Sequence, residues 1–462
     1  KQWIDYIDKL SEDANVDGLI IKLGNVRAGL AKKREMHKAL TRFKNSNKKI
    51  IVYSENYISG SDYYLVSIAD EIYIHRMSGV DLKGLNMEMT FMRGLLDTLS
   101  IVPEVIRVSP YKTAGDTFLN RKSSDEMKEN YSELIDDLYN VYVNDISNAR
   151  GWSIENTLNI INNGPYFSSL NAIENGLITD VMFPDQFEKY VESLNDKKIN
   201  INKSSKSYFL DDYTYQWKKE EKPNIAVIYA VGGITSGKSN PGPAGSSIMG
   251  DETINNAIKK AREDENIDAI VLRIDSGGGS ALASDMMWRE VYKTTVEDTS
   301  NIKPFIVSMS DVAASGGYYI ACQADTILAE ENTITGSIGV IGVRLNFSQL
   351  LNRIGINIET LKRGENADFG TFSRLLNDDE KEKIYNSIMD SYNIFKERVI
   401  DGRDSLNDIN ALDDIALGRV WSGQKAMELG LVDKIGGLHD AIEVAKNAAN
   451  IDADQSINIL EY

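Results

Sequence analysis

The sequence predicts an α/β protein made of two tandem copies of one domain. Three observations lead to this prediction: an internal repeat over most of the 462 residues, short apolar strands alternating with amphipathic helices, and a globular composition. Hydrophobic residues make up 42% of the chain, and its 34 glycines add about 7%. Disordered and low-complexity proteins are therefore excluded.

The internal repeat consists of matching segments at a nearly constant spacing. Asp13–Leu23 matches Asp264–Ile274 at an offset of 251 residues, and Asp62–Leu65 matches Gly317–Ile320 at an offset of 255. Pairs at an offset of 254 are Phe118 with Phe372, Tyr131 with Tyr385, Gly164 with Gly418, and Gly176 with Gly430. We therefore expect an N-terminal repeat over residues 1–196, a polar connection over residues 197–222 and a C-terminal repeat over residues 223–462.

Each copy predicts the same order: a helix, an apolar strand, a helix, a second strand, and a small-residue turn that opens another helix. The second copy begins with an entry strand at Asn224–Val231 and continues with β-rich runs at Ile267–Ile274 and Pro304–Met309. Helical periodicity covers Ser284–Thr294 and Asp378–Val399. Because the first copy lacks an entry strand, we expect about 30 further residues before its first helix, with room for a membrane anchor.

Charge and cysteine content exclude several classes of protein. The formal net charge of −18 repels phosphate groups, and no block rich in Lys and Arg is present, so we expect no nucleic-acid partner. The single cysteine excludes an intrachain disulfide framework and Cys-rich metal sites. No apolar run approaches the roughly 18–20 residues that span a bilayer, so we expect that any membrane anchor lies in a segment missing from this chain.

One motif suggests a nucleotide site that its context does not support. Gly232–Ser239 satisfies the phosphate-loop pattern G-x-x-x-x-G-K-[ST]. That chemistry needs a helix starting at Lys238, whose amides would hold the phosphates. The following Asn-Pro-Gly-Pro-Ala-Gly cannot continue a helix, so we expect a Gly/Ser/Pro loop and no nucleotide cofactor.

Two turns that follow predicted strands in the second copy could carry chemistry. Ser276–Ser280 contains three consecutive glycines, whose exposed amides could stabilise an oxyanion, although a plain strand-to-helix turn has the same composition. Asp311–Tyr319 places Ser315 among small residues at a helix start, with room for a substrate backbone. The aligned residue of the first copy is Gly60, so that copy has no nucleophile. Helix capping by Ser315 is the alternative.

A serine nucleophile needs a base, and the three histidines do not supply one. His37 and His439 lie in charged stretches and His75 ends an apolar strand, so we expect surface or strand-end residues and no Ser-His-Asp triad. A desolvated lysine is the remaining option. Lys112 aligns with Asn366, so the losses in the two copies are complementary, as expected for one site assembled from both. A solvated loop lysine is the alternative.

Together these motifs resemble the long tandem-repeat form of the signal peptide peptidase A family, also called protease IV. The similarity covers essentially the whole chain, through Tyr111–Ala114, Asp275–Ser280, Ala313–Tyr318, Thr335–Val340 and Gly418–Gly423. Two stretches depart from the family pattern. Ser276–Gly279 replaces the usual Ser-Pro-Gly-Gly, and Asp116-Thr117 stands where Glu-Pro is common.

The resemblance implies two Clp/crotonase-like domains of the ββα superhelix type, related by internal duplication, and a Ser/Lys dyad. Ser315 would be the nucleophile and Lys112, from the N-terminal repeat, the general base. Amides of Gly278 and Gly279 would form the oxyanion hole, and Ser337 would orient the lysine. The resemblance also implies a homotetramer at the bacterial cell membrane, on the periplasmic or extracytoplasmic side. Its substrates would be apolar signal-peptide remnants, and it would need no cofactor or metal.

Two other functions stay open at this level. A crotonase-like acyl-CoA hydratase or isomerase would use the amides of Gly278 and Gly279 to polarise a thioester carbonyl, but no obvious Glu base stands beside these glycines. The second alternative function is that of a non-catalytic scaffold, which is suggested by the loss of the serine in one copy. Labelling of Ser315 by an acylating reagent would count against the scaffold.

Overall fold

A computed structural model describes residues 2–194, 222–242, 245–403, 405–406, 408–409 and 411–462. The chain divides into two compact units. The first consists of Lys1–Leu85, Leu138–Pro223 and Gly436–Asp440, and the second of Asn86–Asp137, Asn224–Ile435 and Ala441–Tyr462. The units differ from the predicted repeats, because Asn86–Asp137 belongs to the second unit. The predicted connection over residues 197–222 lies outside the described residues, apart from Lys222.

Both units contain helices and strands. The helices are α1 (Gln2–Glu12), α2 (Leu30–Asn45), α3 (Gly60–Val66), α4 (Arg93–Leu99), α5 (Asp116–Leu119), α6 (Asp125–Arg150), α7 (Ile154–Asn163), α8 (Ser169–Glu174), α9 (Pro184–Ser193), α10 (Asp251–Glu263), α11 (Ala281–Tyr292), α12 (Gly316–Ala321), α13 (Ser348–Arg353), α14 (Asp378–Gly402), α15 (Gly423–Glu428) and α16 (Leu438–Ala448). The strands are β1 (Gly18–Lys22), β2 (Lys49–Ser54), β3 (Ile58–Ser59), β4 (Glu71–Ile74), β5 (Val80–Asp81), β6 (Val102–Arg107), β7 (Asp180–Val181), β8 (Asn224–Val231), β9 (Gly233–Thr235), β10 (Asn240–Pro241), β11 (Ser247–Gly250), β12 (Ile267–Ser276), β13 (Phe305–Ala314), β14 (Thr326–Ala329), β15 (Ile334–Gly336), β16 (Ile341–Asn346), β17 (Val420–Ser422), β18 (Lys434–Ile435) and β19 (Asn458–Glu461).

The first unit contains a four-stranded parallel sheet in the order β1-β2-β4-β7. Strand β2 is buried from Ile50 to Ser54, which explains its continuous apolar sequence. Helix α2 packs against this core through buried residues that include Ala39, Leu40 and Phe43. Helix α3 begins at Gly60, the residue aligned with Ser315.

The second unit contains a larger sheet in which β8, β12 and β13 run parallel to one another. These strands are buried and Val/Ile/Leu-rich, as expected where helices cover both faces of a sheet. Strands β6 and β16 form a separate antiparallel pair in the same unit. The predicted α/β class is confirmed. The strands predicted in the second copy are β8, β12 and β13, and its predicted helices are α11 and α14.

Two local expectations were wrong. Within the segment that has the phosphate-loop pattern, Gly233–Thr235 forms strand β9 of a small sheet in place of a plain loop, and β10 follows the pattern. No helix begins at Lys238, as expected. His37 is buried against the Tyr64 ring and is not a surface residue. Burial lowers the pKa of His37 to about 4, so the ring is neutral at physiological pH.

Membrane-spanning potential was examined over the same described ranges. None of the helices found there is long and apolar enough to cross a bilayer.

Candidate active site

Ser315 occupies the sharp junction between β13 and α12. Its backbone has φ 54° and ψ −119°, a conformation that non-glycine residues rarely adopt. Close packing enforces the turn, since a Cβ at Gly316 would lie 2.5 Å from Ser284 Oγ and one at Gly317 would lie 2.5 Å from the Ser276 carbonyl oxygen. The Ser315 side chain makes no capping hydrogen bond to α12, so the helix-capping alternative is wrong.

Lys112 belongs to a short turn between β6 and α5. Its amide donates to the Ser109 carbonyl at 3.2 Å, and the Ser109 hydroxyl donates to the Leu417 carbonyl. A Cβ at Gly418 would lie 2.7 Å from the Lys112 Cα, so this glycine is required by close approach. Lys112 is only 5% exposed. The alternative of a solvated loop lysine is therefore wrong.

The amine of Lys112 contacts Ser315 and Ser337. Its Nζ lies 3.1 Å from Ser315 Oγ, 2.8 Å from the Ser337 carbonyl oxygen and 2.9 Å from Ser337 Oγ. All three partners are uncharged. Burial lowers the pKa of Lys112 from 10.5 to about 7, so the neutral amine is well populated near neutral pH.

The donors and acceptors around the neutral amine of Lys112 determine how it is oriented. It has two N–H donors and one lone pair, and the Ser337 carbonyl can only accept. The Ser337 hydroxyl has its own acceptor in the Gly418 carbonyl at 3.4 Å, so it can accept the second N–H. The lone pair of Lys112 is then left for the hydroxyl proton of Ser315, which is the arrangement that general-base chemistry needs.

Unusual backbone geometry clusters around this amine. In the described parts of the chain, six non-glycine residues have positive φ, and three of them are Ser315, Ser337 and Leu417. Such conformations cost about 1–3 kcal/mol each and persist only where the surroundings enforce them. The site is therefore held in place by the fold around it.

The three glycines before α11 pass beside the nucleophile. Gly278 has φ 96°, and a Cβ there would lie 2.9 Å from the Ser315 Cβ and 2.6 Å from the Gly316 amide nitrogen. Its amide donates to Ser276 Oγ at 3.1 Å. Gly278 therefore supports the nucleophile by close approach, while its N–H already has a partner.

Gly279 and Gly316 carry the available amides. Ile234 in β9 hydrogen-bonds the Gly278 carbonyl and the Ser280 amide, so the peptide N–H of Gly279 points to the opposite edge. Within the described residues, neither the Gly279 amide nor the Gly316 amide at the start of α12 donates a hydrogen bond. Gly316 was not among the residues predicted from the sequence, although the residue after a nucleophile at a strand-to-helix turn commonly supplies such an amide.

The sequence comparisons identify the family. The sequence profile of peptidase family S49 matches residues 42–198 and 297–452. The chain belongs to peptidase family S49. The two matched ranges also support the internal duplication, and the predictions of this protease family and of a serine peptidase are confirmed at family level.

Relatives of the same kind match nearly the whole chain. The chloroplastic serine protease SPPA of Arabidopsis thaliana is 35% identical over 98% of this chain. Protease 4 of Haemophilus influenzae is 33% identical over 98% and Protease 4 of Salmonella typhi is 31% identical over 97%. The chain spans 66%, 73% and 72% of these three proteins, respectively.

Proposed function

We propose that this protein is a serine endopeptidase that cleaves apolar peptides with a dyad of Ser315 and Lys112. The observation that carries the proposal is the 3.1 Å contact between Lys112 Nζ and Ser315 Oγ. No carboxylate among the described residues hydrogen-bonds this buried amine, so desolvation can hold it in its basic, neutral form.

The first half of the reaction forms an acyl-enzyme. Ser315 Oγ attacks the scissile carbonyl carbon as its proton passes to the lone pair of Lys112. The resulting ammonium keeps its hydrogen bonds to the carbonyl and hydroxyl oxygens of Ser337. It then gives a proton to the leaving amine when the C–N bond breaks. Ser337 acts here as the residue that orients the base.

The oxyanion that forms in each half-reaction needs donors beside Ser315. We assign this role to the amides of Gly279 and Gly316, whose N–H groups have no partner within the described residues. Gly278 contributes through its close packing against Ser315. Its amide could become a third oxyanion donor if it no longer donated to Ser276 Oγ. Donors of this kind typically contribute about 10²–10³-fold in kcat each. Water, activated by the neutral Lys112, then hydrolyses the acyl-enzyme.

The surroundings of Ser315 favour small or apolar substrate residues. Ala314 and Gly316, on either side of Ser315, are small and buried, and α11, which follows the glycine turn, exposes the apolar side chains of Leu282 and Met286. Such a surface suits the apolar core of a signal-peptide remnant. We include in the proposal the homotetramer and the extracytoplasmic membrane location that the family resemblance implies. Light scattering of the purified protein and fractionation of the source cells test these two parts.

The two alternative functions predict different chemistry. An acyl-CoA hydratase or isomerase would process a thioester and leave Ser315 unmodified. A scaffold would neither turn over a peptide nor react with an acylating reagent at Ser315. A paired hydroxyl and desolvated amine suit neither alternative, because both functions leave this dyad unused.

The direct test is hydrolysis of an apolar fluorogenic peptide by the parent, Ser315→Ala and Lys112→Met. We expect cleavage by the parent and a loss of about 10³-fold or more in each variant. Lys303→Met is a matched control, because Lys303 is also buried in the second unit and bonds only backbone carbonyls of other residues. The folded control should keep its activity. A folded parent that leaves the peptide intact would contradict the proposal.

A further inference from the structure

A buried ion pair brackets the turn that carries Lys112. Arg107 ends β6 and Asp116 begins α5, so the two residues close the turn from both sides. Nη1 of Arg107 donates to Asp116 Oδ1 at 2.7 Å and to the Lys112 carbonyl at 3.3 Å. Ser124 donates to Asp116 Oδ2 at 2.6 Å. One guanidinium nitrogen thus connects the lysine backbone to a carboxylate that is fully buried.

The other charges around the turn are also paired. Arg419, beside Gly418, lies over the Tyr111 ring and forms an ion pair of 3.1 Å with Glu129 of α6. Arg344 of β16 pairs with Glu104 of β6 at 3.2 Å. The contacts from β13 and from the segment after β15 are the hydroxyls of Ser315 and Ser337, which carry no charge. Arg107, Arg344 and Arg419 therefore each have an anion next to them.

The pairing of these charges affects the basicity of Lys112 because its amine is poorly solvated. An unpaired positive charge nearby would oppose protonation of the amine, and an unpaired negative charge would favour it. Desolvation is the cause that shifts the pKa of Lys112, and in the parent no neighbouring charge contributes to that shift. A buried carboxylate such as Asp116 would itself be costly without its cation.

We propose that Arg107 and Asp116 are positioning residues for the base: the pair holds the backbone of Lys112 against Ser315 and presents no net charge to its amine. The inference rests on the proposed function. The Asp116 carboxylate reaches both Arg107 and Ser124, so both of its oxygens are held.

The test is the pH dependence of kcat/KM for apolar peptide hydrolysis. Asp116→Asn leaves the Arg107 cation unpaired, so the midpoint of the acid limb should move to lower pH. Arg107→Gln leaves the Asp116 carboxylate unpaired, so the midpoint should move to higher pH. We expect shifts of roughly half a pH unit to one pH unit in opposite directions. The double variant Arg107→Gln/Asp116→Asn should return the midpoint to that of the parent.

Asp97→Asn is the matched control. It removes an equal charge from an exposed pair with Arg121 in the same unit and should leave the midpoint unchanged. A merely structural role for Arg107 and Asp116 would lower the rate without moving the midpoint. Absent shifts, or two shifts of the same sign, would overturn the inference.

The test still decides the inference if one of the variants does not fold. If Asp116→Asn does not fold, Arg107→Gln decides by itself, because the Arg107 side chain is 23% exposed and Ser124 still donates to the Asp116 carboxylate in that variant. An upward shift would support the inference, and an unchanged or lower midpoint would overturn it. A parent that does not cleave would overturn the proposed function and this inference with it, whereas cleavage with unshifted variants would overturn the inference alone.

Discussion

Two buried lysines, one in each unit, have opposite surroundings. Lys33 of α2 is 2% exposed, and its ammonium donates to Asp62 Oδ1 at 2.8 Å and to Ser61 Oγ at 2.7 Å. Lys112 is 5% exposed, and all its partners are uncharged hydroxyl or carbonyl oxygens. Burial with a counter-ion makes Lys33 a structural anchor, whereas burial without one, beside the Ser315 hydroxyl, suits Lys112 to act as a base. The comparison shows that the counter-ion, and not burial, distinguishes the two roles.

The aligned turns of the two copies differ in the same way. In the first copy the Ser59 hydroxyl caps α3 by accepting the Asp62 amide, and a Cβ at Gly60 would lie 3.0 Å from the Asp81 carbonyl oxygen. In the second copy Ser315 makes no such cap and is left to contact Lys112. Duplication kept the strand-to-helix turn in both copies, but only one copy kept a free hydroxyl there.

The largest expected effect is on activity and separates the two lysines. Lys112→Met should lower kcat/KM for an apolar peptide by about 10³-fold or more, because the general base is lost. Lys33→Met, assayed where it is folded, should change kcat/KM by much less. Steady-state kinetics of the two variants measure this difference. Equal losses in both would contradict the assigned roles.

The second-largest effect is on stability, and here we expect the Lys33 variant to be the more strongly affected of the two. Lys33→Met leaves the Asp62 carboxylate buried without its cation and should lower the free energy of unfolding by about 3–5 kcal/mol. The double variant Lys33→Met/Asp62→Leu should recover most of that loss. Chemical denaturation of the three proteins measures both. Full stability of Lys33→Met would show that the pair is not the anchor inferred here.

A smaller loss of activity is expected at the glycine turn. Gly278→Ala places a Cβ 2.6 Å from the Gly316 amide nitrogen at a residue with φ 96°, so the Ser315 turn must move. We expect kcat/KM to fall about 10²-fold, the size of one lost oxyanion donor. Gly277→Ala is the control, because its Cβ would meet nothing within 4 Å. Similar activity of Gly278→Ala and the parent would rule out this packing requirement.

The smallest effect is a gain in stability at neutral pH. Folding lowers the pKa of Lys112 from 10.5 to about 7, so between these values the unfolded chain binds more protons and the stability of the parent rises with pH. This rise in the stability of the parent is absent below about pH 7 and is complete above 10.5, the pKa of Lys112 in the unfolded chain. Lys112→Met should therefore be more stable than the parent by about 1–3 kcal/mol at pH 7, with the advantage shrinking towards pH 10. Denaturant unfolding at pH 6, 8 and 10 measures the difference in the free energy of unfolding between the two proteins. A difference that does not change with pH would refute the prediction.

The sequence predicted the elements better than their grouping. Strands such as β8 and β12 followed from apolar runs, and the complementary losses at Gly60 and Asn366 pointed to a pairing of Ser315 with Lys112. The membership of Asn86–Asp137 in the second unit depends on pairing of β6 with β16, which lie far apart in sequence, and no local pattern reports that contact.

The site details that the sequence missed have two causes. The positive φ of Ser315 is enforced by packing against Ser276 and Ser284, which are distant along the chain. The hydrogen bond of the Gly278 amide and the ion pair of Arg107 with Asp116 are local, but they depend on the exact shape of an irregular turn. Composition and periodicity describe local preference and exposed faces, but they do not describe which polar groups meet after folding. The Gly316 amide is the exception, since its place after Ser315 was visible in the sequence.

The central claim is that Lys112 is a neutral base for Ser315 near pH 7. The measurement that tests it most directly is the rate at which a fluorophosphonate phosphonylates Ser315, with loss of fluoride, between pH 5 and 10, followed by intact-mass spectrometry in the parent and in Lys112→Met. The account predicts a parent rate that rises about tenfold per pH unit below a midpoint near 7 and then levels off, with little reaction in the variant. A midpoint near 10, or equal rates in the two proteins, would contradict it.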